Sequence, residues 1–334
     1  MQQMSRSMKA LVLEQYGSSL QISQVELPSP GEGQVLVRVK ASGTNPLDIK
    51  IRNNQAPHAR VRLPAILGID LAGIVEAVGP EVTAFTPGVE VFGMTGGVGG
   101  IAGSLAEYAV VDADLLAAKP SDLSMKEAAA IPLIFITAWE GLVDRAKISA
   151  GQKVLIHGGT GGVGHMAVQI AKAFGAEVYA TVSGGQEAIV EKFGAVAINY
   201  QTTSVEQYLD ALTGGEGFDI VYDTVGGAVL DGSFNAVKKY TGHVLSCLGW
   251  GSHKLAPLSF RAATYSGVFT LLPLLTGKGR AHHGEIMKHA ARLVMEGKLK
   301  VLVDSRQFTM TNIEEAYTLI QNGSRMGKIV VNID

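Results

Sequence analysis

Hydrophobic and polar residues alternate over short runs in the first third of the chain. Val35, Val37 and Val39 stand at every second position, which is the period of a strand with one buried face. Similar runs predict strands at residues 10–13, 34–41, 71–78, 89–92 and 106–111. This part of the chain is therefore expected to form a β-rich domain with few helices.

The pattern changes after Pro120. Ser124 and Glu127 have the spacing of a capping box at the start of a helix, and from residue 152 strand-like runs alternate with helical ones. The predicted order is strand 153–157, helix 163–174, strand 177–182, helix 186–193, and strands at 219–223 and 243–248. Such alternation is typical of an α/β domain built on a doubly wound parallel sheet.

The last part of the chain departs from that alternation. It predicts a helix at 284–296, a strand at 301–303, a helix at 313–322 and a strand at 328–333. We expect a β-rich domain at residues 1–128, a doubly wound domain at 129–270, and a C-terminal segment at 271–334 that returns to the first domain.

The composition argues against several classes of protein. The 334 residues carry a net charge of −2, with 28 lysines and arginines spread along the chain, which argues against a nucleic-acid partner. The single cysteine, Cys247, excludes an intramolecular disulfide and a multi-cysteine metal site, and it fits a reducing, cytoplasmic location. The longest apolar stretch, residues 267–275, is too short for a membrane helix, so we expect a pocket wall or a subunit contact there.

The most informative segment follows the strand at 153–157. Gly159, Gly161 and Gly164 have the G-x-G-x-x-G spacing between a strand and a helix, which permits a tight turn and close approach of a pyrophosphate to the helix N-terminus. A second glycine string, at residues 96–100, lies between two strands and is interpreted as a loop. The first string predicts a dinucleotide site, and a tight turn with no ligand is the alternative.

The end of the second strand of this domain bears on the choice of dinucleotide. An acidic residue there would hydrogen-bond the ribose of NAD, but the sequence reads VSGGQ from residue 182. The Ser183 hydroxyl and the glycine N–H groups suit a 2′-phosphate, although this segment contains no Lys or Arg and Glu187 follows it. The prediction is NADP, used as NADPH.

Seven segments carry a family resemblance. They read ASGTNPLDIK from residue 41, LGIDLAG from 67, LAEY from 105, GGTGGVG from 158, INY from 198, YDTVG from 222 and GKIV from 327. Together they resemble the medium-chain dehydrogenase/reductase superfamily over nearly the whole chain, and within it the zinc-free quinone oxidoreductase (zeta-crystallin-like) branch. The resemblance implies an α/β fold with a GroES-like β-rich catalytic domain, a Rossmann domain, and a homodimer.

The resemblance also bears on the reaction centre. Where zinc-dependent members have a Cys and a His ligand, this chain has Asn45 and Ile69, so no catalytic metal is expected. Without a Lewis acid, charge that develops on a substrate oxygen must be met by hydrogen-bond donors. The candidates are Asn45 and Lys50, which are five residues apart in one polar loop after the strand that ends at Ala41. Many quinone reductases have a Tyr where Lys50 stands, and a Lys there resembles the alkenal and enone reductases. Alternatively, Asn45 caps a turn before Pro46 and Lys50 is a surface charge.

The remaining site residues follow from the resemblance alone. Tyr200 is expected near the adenine ribose and the backbone of Leu248 near the nicotinamide, while Asp70 and Asp223 are interpreted as structural. Phe135, Trp250 and residues 268–275 are expected to form an apolar substrate wall. The full set of expected cofactor residues is Asn45, Thr137, Gly159, Thr160, Gly161, Gly162, Val163, Gly164, Ser183, Tyr200, Val225, Cys247, Leu248, Gly249, Phe269 and Arg325.

These observations lead to a functional hypothesis. The chain is expected to transfer a hydride from NADPH to a quinone or an α,β-unsaturated carbonyl compound, without zinc, in a cleft between the domains. A nucleotide-binding protein without turnover, serving a structural or redox-sensing role, is the alternative from another class. A zinc alcohol dehydrogenase that has lost its ligands is a third possibility.

Overall fold

The computed structural model describes residues 7–323 and 326–333. Its strands, in chain order, are β1 (Ser7–Leu13), β2 (Gln21–Glu26), β3 (Gln34–Gly43), β4 (Ala65–Ile66), β5 (Asp70–Val78), β6 (Glu90–Met94), β7 (Tyr108–Asp112), β8 (Leu116–Ala118), β9 (Lys153–His157), β10 (Glu177–Val182), β11 (Val196–Asn199), β12 (Ile220–Asp223), β13 (His243–Ser246), β14 (Thr264–Gly267), β15 (Phe308–Thr309) and β16 (Val330–Asn332).

The helices vary in length. They are α1 (Pro46–Arg52), α2 (Met125–Ala130), α3 (Pro132–Trp139), α4 (Gly162–Ala173), α5 (Glu187–Lys192), α6 (Val205–Thr213), α7 (Ala228–Ala236), α8 (Ala256–Ser259), α9 (Leu272–Thr276), α10 (Arg280–Met295) and α11 (Ile313–Gln321), with a π-helical turn at Glu140–Arg145 and 3₁₀ turns at Pro57–Ala59, Ala113–Leu115 and Met310–Asn312. Within the described ranges, no helix combines the length and the apolar character that crossing a bilayer requires.

The chain divides into two compact units. Unit 1 comprises the described parts of residues 1–133 and 271–334, and unit 2 comprises residues 134–270. Residues 129–133, which the sequence analysis assigned to the second domain, belong to unit 1 because α2 packs closely on β3. A Cβ added at Gly43 would lie only 2.2 Å from the carbonyl oxygen of Ala129.

Unit 1 is built on two mainly antiparallel sheets. The larger one has the order β15-β16-β3-β5-β6-β8, with β7 also paired to β3, and the smaller one has the order β2-β1-β4. Val35, Val37 and Val39 of β3 are buried, as the alternation predicts. The C-terminal segment returns to this unit, since β16 pairs with β3 at Val330 and Gly43.

Unit 2 is a doubly wound domain. Its sheet has the order β11-β10-β9-β12-β13-β14, and every strand pair is parallel. Short apolar strands such as β9 and β12 are almost entirely buried, and Leu155 and Val221 are 0% exposed. The predicted fold class, a β-rich domain followed by a doubly wound parallel-sheet domain, is confirmed.

Two local predictions from the pattern are wrong. The polar loop expected to carry Asn45 and Lys50 is a helix, because Pro46 begins α1, where its fixed φ and missing N–H are tolerated. The predicted strand at 301–303 is reduced to one bridge between Val303 and Lys328. Of these three apolar residues only Val303 has a bridge partner, so they form a single bridge and not a continuous strand.

Candidate active site

The glycine loop lies between β9 and α4. Helix α4 begins at Gly162 with Gly161 as its N-cap, and no described side chain caps it. The first N–H groups of a helix lack partners within the helix, so they and the positive end of the helix dipole are available to an anion. A Cβ added at Gly164 would lie 2.0 Å from the oxygen of Gly158, and one at Gly159 would lie 2.7 Å from a side chain of β10. The loop therefore has the shape and the donors that fit a pyrophosphate.

The parallel sheet brings most of the expected cofactor residues to one edge. Because all its strands run the same way, their carboxyl ends share the edge at which doubly wound sheets bind dinucleotides. The expected residues that follow β9, β10, β11, β12, β13 and β14 are, in that order, residues 159–164, Ser183, Tyr200, Val225, residues 247–249 and Phe269.

Side-chain contacts connect the ends of β10 and β11 at this edge. Ser183 Oγ lies 3.0 Å from Tyr200 Oη, and the ring of Tyr200 is 56% exposed. On the other side of the loop, Thr160 Oγ1 donates to Gln186 Oε1 at 2.7 Å. A half-exposed ring beside a hydroxyl suits the adenosine part of a dinucleotide.

The expected residues outside the strand ends differ in exposure. Thr137 is buried in α3, and its Oγ1 lies 3.0 Å from that of Thr270. The rings of Trp250 and Phe269 meet edge to face at 6.1 Å, and Trp250 is half exposed. Phe135, expected in the substrate wall, is completely buried. Arg325 lies outside the described residues.

Asp223 shapes the turn that carries Val225. Its Oδ1 accepts hydrogen bonds from the backbone N–H groups of Val225 at 3.0 Å and Gly226 at 2.9 Å, and its Oδ2 accepts from Ser246 Oγ at 2.7 Å. The carboxylate thus ties the end of β12 to β13, which is a structural role. Burial, with the charge of Asp223, raises the pKa of the Cys247 thiol to about 12, so this thiol stays protonated at neutral pH.

His157 was missed by the sequence analysis, although it immediately precedes the glycine loop. Its Nδ1 lies 3.2 Å from Thr181 Oγ1, which in turn accepts the N–H of Gly158 at 3.1 Å. Burial lowers the pKa of His157 to about 4, against the opposing effect of the Asp223 charge. A neutral imidazole therefore buttresses the first residue of the loop, and only the fold shows that it faces the neighbouring strand.

A buried ionic cluster lies in unit 1. Lys328 Nζ is 3.1 Å from Asp70 Oδ2, and the side chains are 6% and 0% exposed. Lys328 Nζ also donates a very short hydrogen bond to Asn45 Oδ1, and Asn45 Nδ2 donates to Asp70 Oδ2 at 3.0 Å. The other carboxylate oxygen of Asp70 accepts the N–H of Leu133 at 2.7 Å. The sequence analysis quoted Lys328 within a motif but gave it no role. The available signal was a single Lys directly before the apolar residues 329–331, which are buried.

Asn45 and Lys50 have different surroundings in the structure. The Asn45 amide is buried, with its oxygen on Lys328 and its nitrogen on Asp70 and, at 3.4 Å, on the oxygen of Gly43. Both amide N–H directions are thus taken by protein acceptors, and the backbone of Asn45 begins α1. Lys50 is exposed on α1 and is accessible to a substrate from solvent.

Asp48 completes the start of α1. Its Oδ2 accepts the backbone N–H of Asn45 at 2.7 Å. Burial raises the pKa of the Asp48 carboxyl from 3.8 to about 7, opposed by the Asn45 hydrogen bond and by Lys328. A carboxyl with such a pKa carries a proton in the folded protein over a range in which the unfolded chain has lost it.

Stability should therefore depend on pH through Asp48. As pH rises from about 4 to about 7, the folded state holds a proton that the unfolded state does not, so the free energy of unfolding falls by up to about 1.4 kcal/mol per pH unit from this group. Asp48→Asn keeps an acceptor for the Asn45 N–H but cannot titrate. In urea unfolding over this range, the free energy of unfolding of the variant should increase relative to that of the wild type as pH rises. Asp122→Asn, at an exposed position, serves as the control. A constant difference would contradict the assignment.

The residues at the two zinc-ligand positions do not fit a zinc ion. Ile69 has no donor atom, the Asn45 oxygen is bound to Lys328, and the Lys328 ammonium adds a positive charge beside Asp70. Zinc prefers Cys, His and carboxylate ligands. Over residues 7–323 and 326–333, no three His, Cys, Asp or Glu side chains are grouped to hold a metal ion.

Comparison with known proteins finds two family domains, the second of which runs from unit 2 into the C-terminal part of unit 1. Residues 31–121 match the model of the alcohol dehydrogenase GroES-like domain, and residues 193–331 match a model described as zinc-binding dehydrogenase. A 2-methylene-furan-3-one reductase of Solanum lycopersicum is 35% identical over 97% of this chain and 79% of its own length. A chloroplastic NADPH-dependent alkenal/one oxidoreductase of Arabidopsis thaliana is 32% identical over 98% and 80%.

A solved structure extends the similarity. An alcohol dehydrogenase superfamily protein from Novosphingobium aromaticivorans has a TM-score of 0.96 and 54% identity, over 98% of this chain and 100% of that one. A GroES-like domain joined to a parallel sheet with a glycine loop at its carboxyl edge defines an NAD(P)H-dependent oxidoreductase. The chain belongs to the medium-chain dehydrogenase/reductase superfamily.

Proposed function

We propose that the protein uses NADPH to reduce α,β-unsaturated carbonyl compounds, and quinones as a second class of acceptor, by a zinc-independent reaction. The observation that carries the proposal is the glycine loop, whose helix N-terminus lies at the carboxyl edge of the unit 2 sheet. The alkenal/one and furanone reductases among its relatives support the enone class.

Residues of unit 2 would hold the coenzyme. The N–H groups at the start of α4 would bind the pyrophosphate, Ser183 and Tyr200 the adenosine end, and the backbone at residues 247–249 the nicotinamide. When bound, the reduced nicotinamide supplies a hydride for the β-carbon of the enone. Lys50 would donate a hydrogen bond to the substrate oxygen, and then the proton that balances the enolate.

NADPH is proposed over NADH because residues 183–186, directly after β10, contain no acid. The Ser183 hydroxyl and the backbone N–H of Gly185 can donate to a 2′-phosphate, which a carboxylate would repel, while the N–H of Gly184 donates to Gln201 Oε1 at 2.9 Å. The direct test is to measure NADPH and NADH oxidation with a panel of enals, enones and quinones. Absence of turnover with every acceptor, after NADPH binding has been shown, would leave a nucleotide-binding protein without this activity.

Zinc independence is a separate part of the proposal. It rests on the donor set at positions 45 and 69 and on the ammonium of Lys328 beside Asp70. Elemental analysis of active protein, with and without prior chelation, tests it. Stoichiometric zinc, lost together with activity on chelation, would refute a zinc-free reaction.

Replacing Lys50 by methionine tests the proposed proton donor. Because hydrogen bonds that stabilise developing charge are worth about 2.7–4 kcal/mol when preorganised, kcat should fall by about 100-fold or more, while NADPH affinity should stay within about 2-fold of the wild type. Steady-state kinetics and fluorescence titration measure the two. An unchanged kcat would assign Lys50 to the surface charges.

The homodimer remains a prediction. Strand β14 is at the edge of the unit 2 sheet, and Tyr265 in it is 36% exposed, so a second copy could pair along this edge. Sedimentation of the purified protein measures the mass directly. A monomer at all accessible concentrations would remove this part of the proposal.

A further inference from the structure

Unit 1 has a local concentration of basic residues that the chain as a whole lacks. No acidic residue occurs between Asp48 and Asp70, whereas residues 50–62 contain Lys50, Arg52, His58, Arg60 and Arg62. We call residues 50–62 the basic segment. It is too short to follow a nucleic-acid backbone, but it can neutralise a small anion.

Most of these charges are available. Arg52 is paired with Glu314, but Lys50, Arg60 and Arg62 are exposed. Burial and, secondarily, the charge of Lys50 lower the pKa of His58. The two side chains are therefore close enough for their charges to repel each other. The segment is thus a net positive surface that includes the proposed proton donor.

A cleft opens beside the exposed arginines. It has a volume of about 230 Å³ and is lined by Tyr16, Asn54 and Arg60 together with apolar residues of the segment. An adjoining cleft of about 180 Å³ is lined by Arg62 and by the second glycine string. A single water needs roughly 10–15 Å³ of such volume, so each cleft has room for a phosphate-sized group and has one arginine among its lining residues.

The backbone around Arg60 is fixed by contacts on both sides. Tyr16 Oη donates to the oxygen of Val61 at 3.1 Å, and the N–H of Gly99 donates to the oxygen of Ala59 at 2.8 Å. Arg60 itself has φ of 50°, in the left-handed region that few non-glycine residues adopt.

We propose that the basic segment is an oxyanion-binding site for the substrate, which recruits α,β-unsaturated compounds whose remote end carries phosphate groups. Guanidinium groups bind phosphate oxygens through paired, charge-assisted hydrogen bonds. This site rests on the proposed function and makes its substrate class more specific. One segment would bind both ends of the substrate: Lys50, at its start, the reacting carbonyl, and Arg60 and Arg62, at its end, the phosphate groups.

A matched pair of substrates tests the site. Crotonoyl-coenzyme A and the N-acetylcysteamine thioester of crotonic acid present the same enoyl thioester, but only the first carries phosphates. One charge-assisted hydrogen bond corresponds to about a 10-fold effect or more, so the ratio of kcat/KM for the two substrates should exceed about 10 in the wild type and fall as salt is raised.

Variants assign that preference to named residues. Arg60→Gln and Arg62→Gln should each lower the ratio by about 3- to 10-fold, since an exposed charge contributes less than a buried one, and Arg60→Lys should lie between Arg60→Gln and the wild type. Lys288→Gln removes an exposed cation that is paired with Glu285 on α10 and should leave the ratio unchanged.

The outcomes separate this site from the proposed function. A wild-type ratio near one, or a ratio that neither arginine variant lowers, would overturn the oxyanion site. If neither thioester is reduced while simple enals or quinones are, the proposed function stands and the oxyanion site falls. If no acceptor is reduced, both fall.

Discussion

Replacing Gly164 with alanine should weaken NADPH binding more than any other single methyl group added to unit 2. The new Cβ would lie 2.0 Å from the carbonyl oxygen of Gly158, a backbone atom that cannot rotate away, so the loop must open. Loss of even one hydrogen bond to a charged phosphate costs about 1.5–3 kcal/mol. We therefore expect the dissociation constant for NADPH to rise by about 10-fold or more.

The strain should also appear without coenzyme. Overpacking of this kind costs about 1–3 kcal/mol, and it should lower the free energy of unfolding of unit 2. Both tryptophans, Trp139 and Trp250, lie in that unit, so tryptophan fluorescence during urea unfolding reports on it selectively.

A matched glycine provides the control. Gly232 is inside α7, and a Cβ there would meet only Val205, at 3.8 Å. Gly232→Ala should keep NADPH affinity and stabilise unit 2 by about 0.5–1 kcal/mol, the difference in helix propensity. Equal NADPH affinity for Gly164→Ala and the wild type would show that the loop does not seat the pyrophosphate.

The sequence was sufficient where a feature depends on local periodicity and spacing. Four of the six strands of unit 2 (β9, β10, β12 and β13), the helices α4 and α5 and the turn at residues 158–161 follow from patterns shorter than about twenty residues, whereas β11 and β14 were not predicted. Once the strands are known to be parallel, the topology places Ser183, Val225 and residues 247–249 at one edge without further information. This part of the candidate site was therefore predictable.

The sequence was insufficient where a feature depends on residues distant in the chain. Lys328 and Asn45 are separated by 283 positions, and nothing local indicates that the lysine orients the amide. Helix α1 was missed because Ile49 and Ile51 alternate like residues of a strand, so the period did not reveal it. The basic segment was hidden for a different reason: a net charge averaged over the chain conceals a local excess.

The Asn45 amide shows how the distant partner changes an interpretation. From the sequence, Asn45 was a candidate donor to a substrate oxygen. In the structure it bridges a cation and an anion, with its oxygen on Lys328 and its nitrogen on Asp70. Its orientation is therefore fixed by an ion pair, and it joins the start of α1 to β5 and to the C-terminal segment.

Removing Lys328 should cause the largest loss of stability in unit 1. Lys328→Met leaves Asp70, whose side chain is 0% exposed, as an unpaired buried charge, and breaking a buried pair in this way costs about 3–5 kcal/mol. Hydrogen exchange of amides in β3 and β16, which pair with each other, should therefore accelerate. Lys288→Met is the control. Because Lys288 and Glu285 form an exposed pair, this variant should change the free energy of unfolding by at most about 1 kcal/mol.

The double variant Lys328→Met/Asp70→Asn distinguishes an unpaired charge from lost packing. With Lys328 gone, the Asn45 amide is free to turn over, so that its oxygen accepts from the NH2 of the amide at position 70, while the single oxygen of that amide still accepts the N–H of Leu133. The Asn45 nitrogen then faces the methionine without an acceptor, but no uncompensated buried charge remains, and replacing a buried ion pair by neutral groups is often close to neutral in stability. The double variant should therefore recover most of the lost protection. If it is as unstable as Lys328→Met alone, the lysine stabilises unit 1 by its packing and not by its charge.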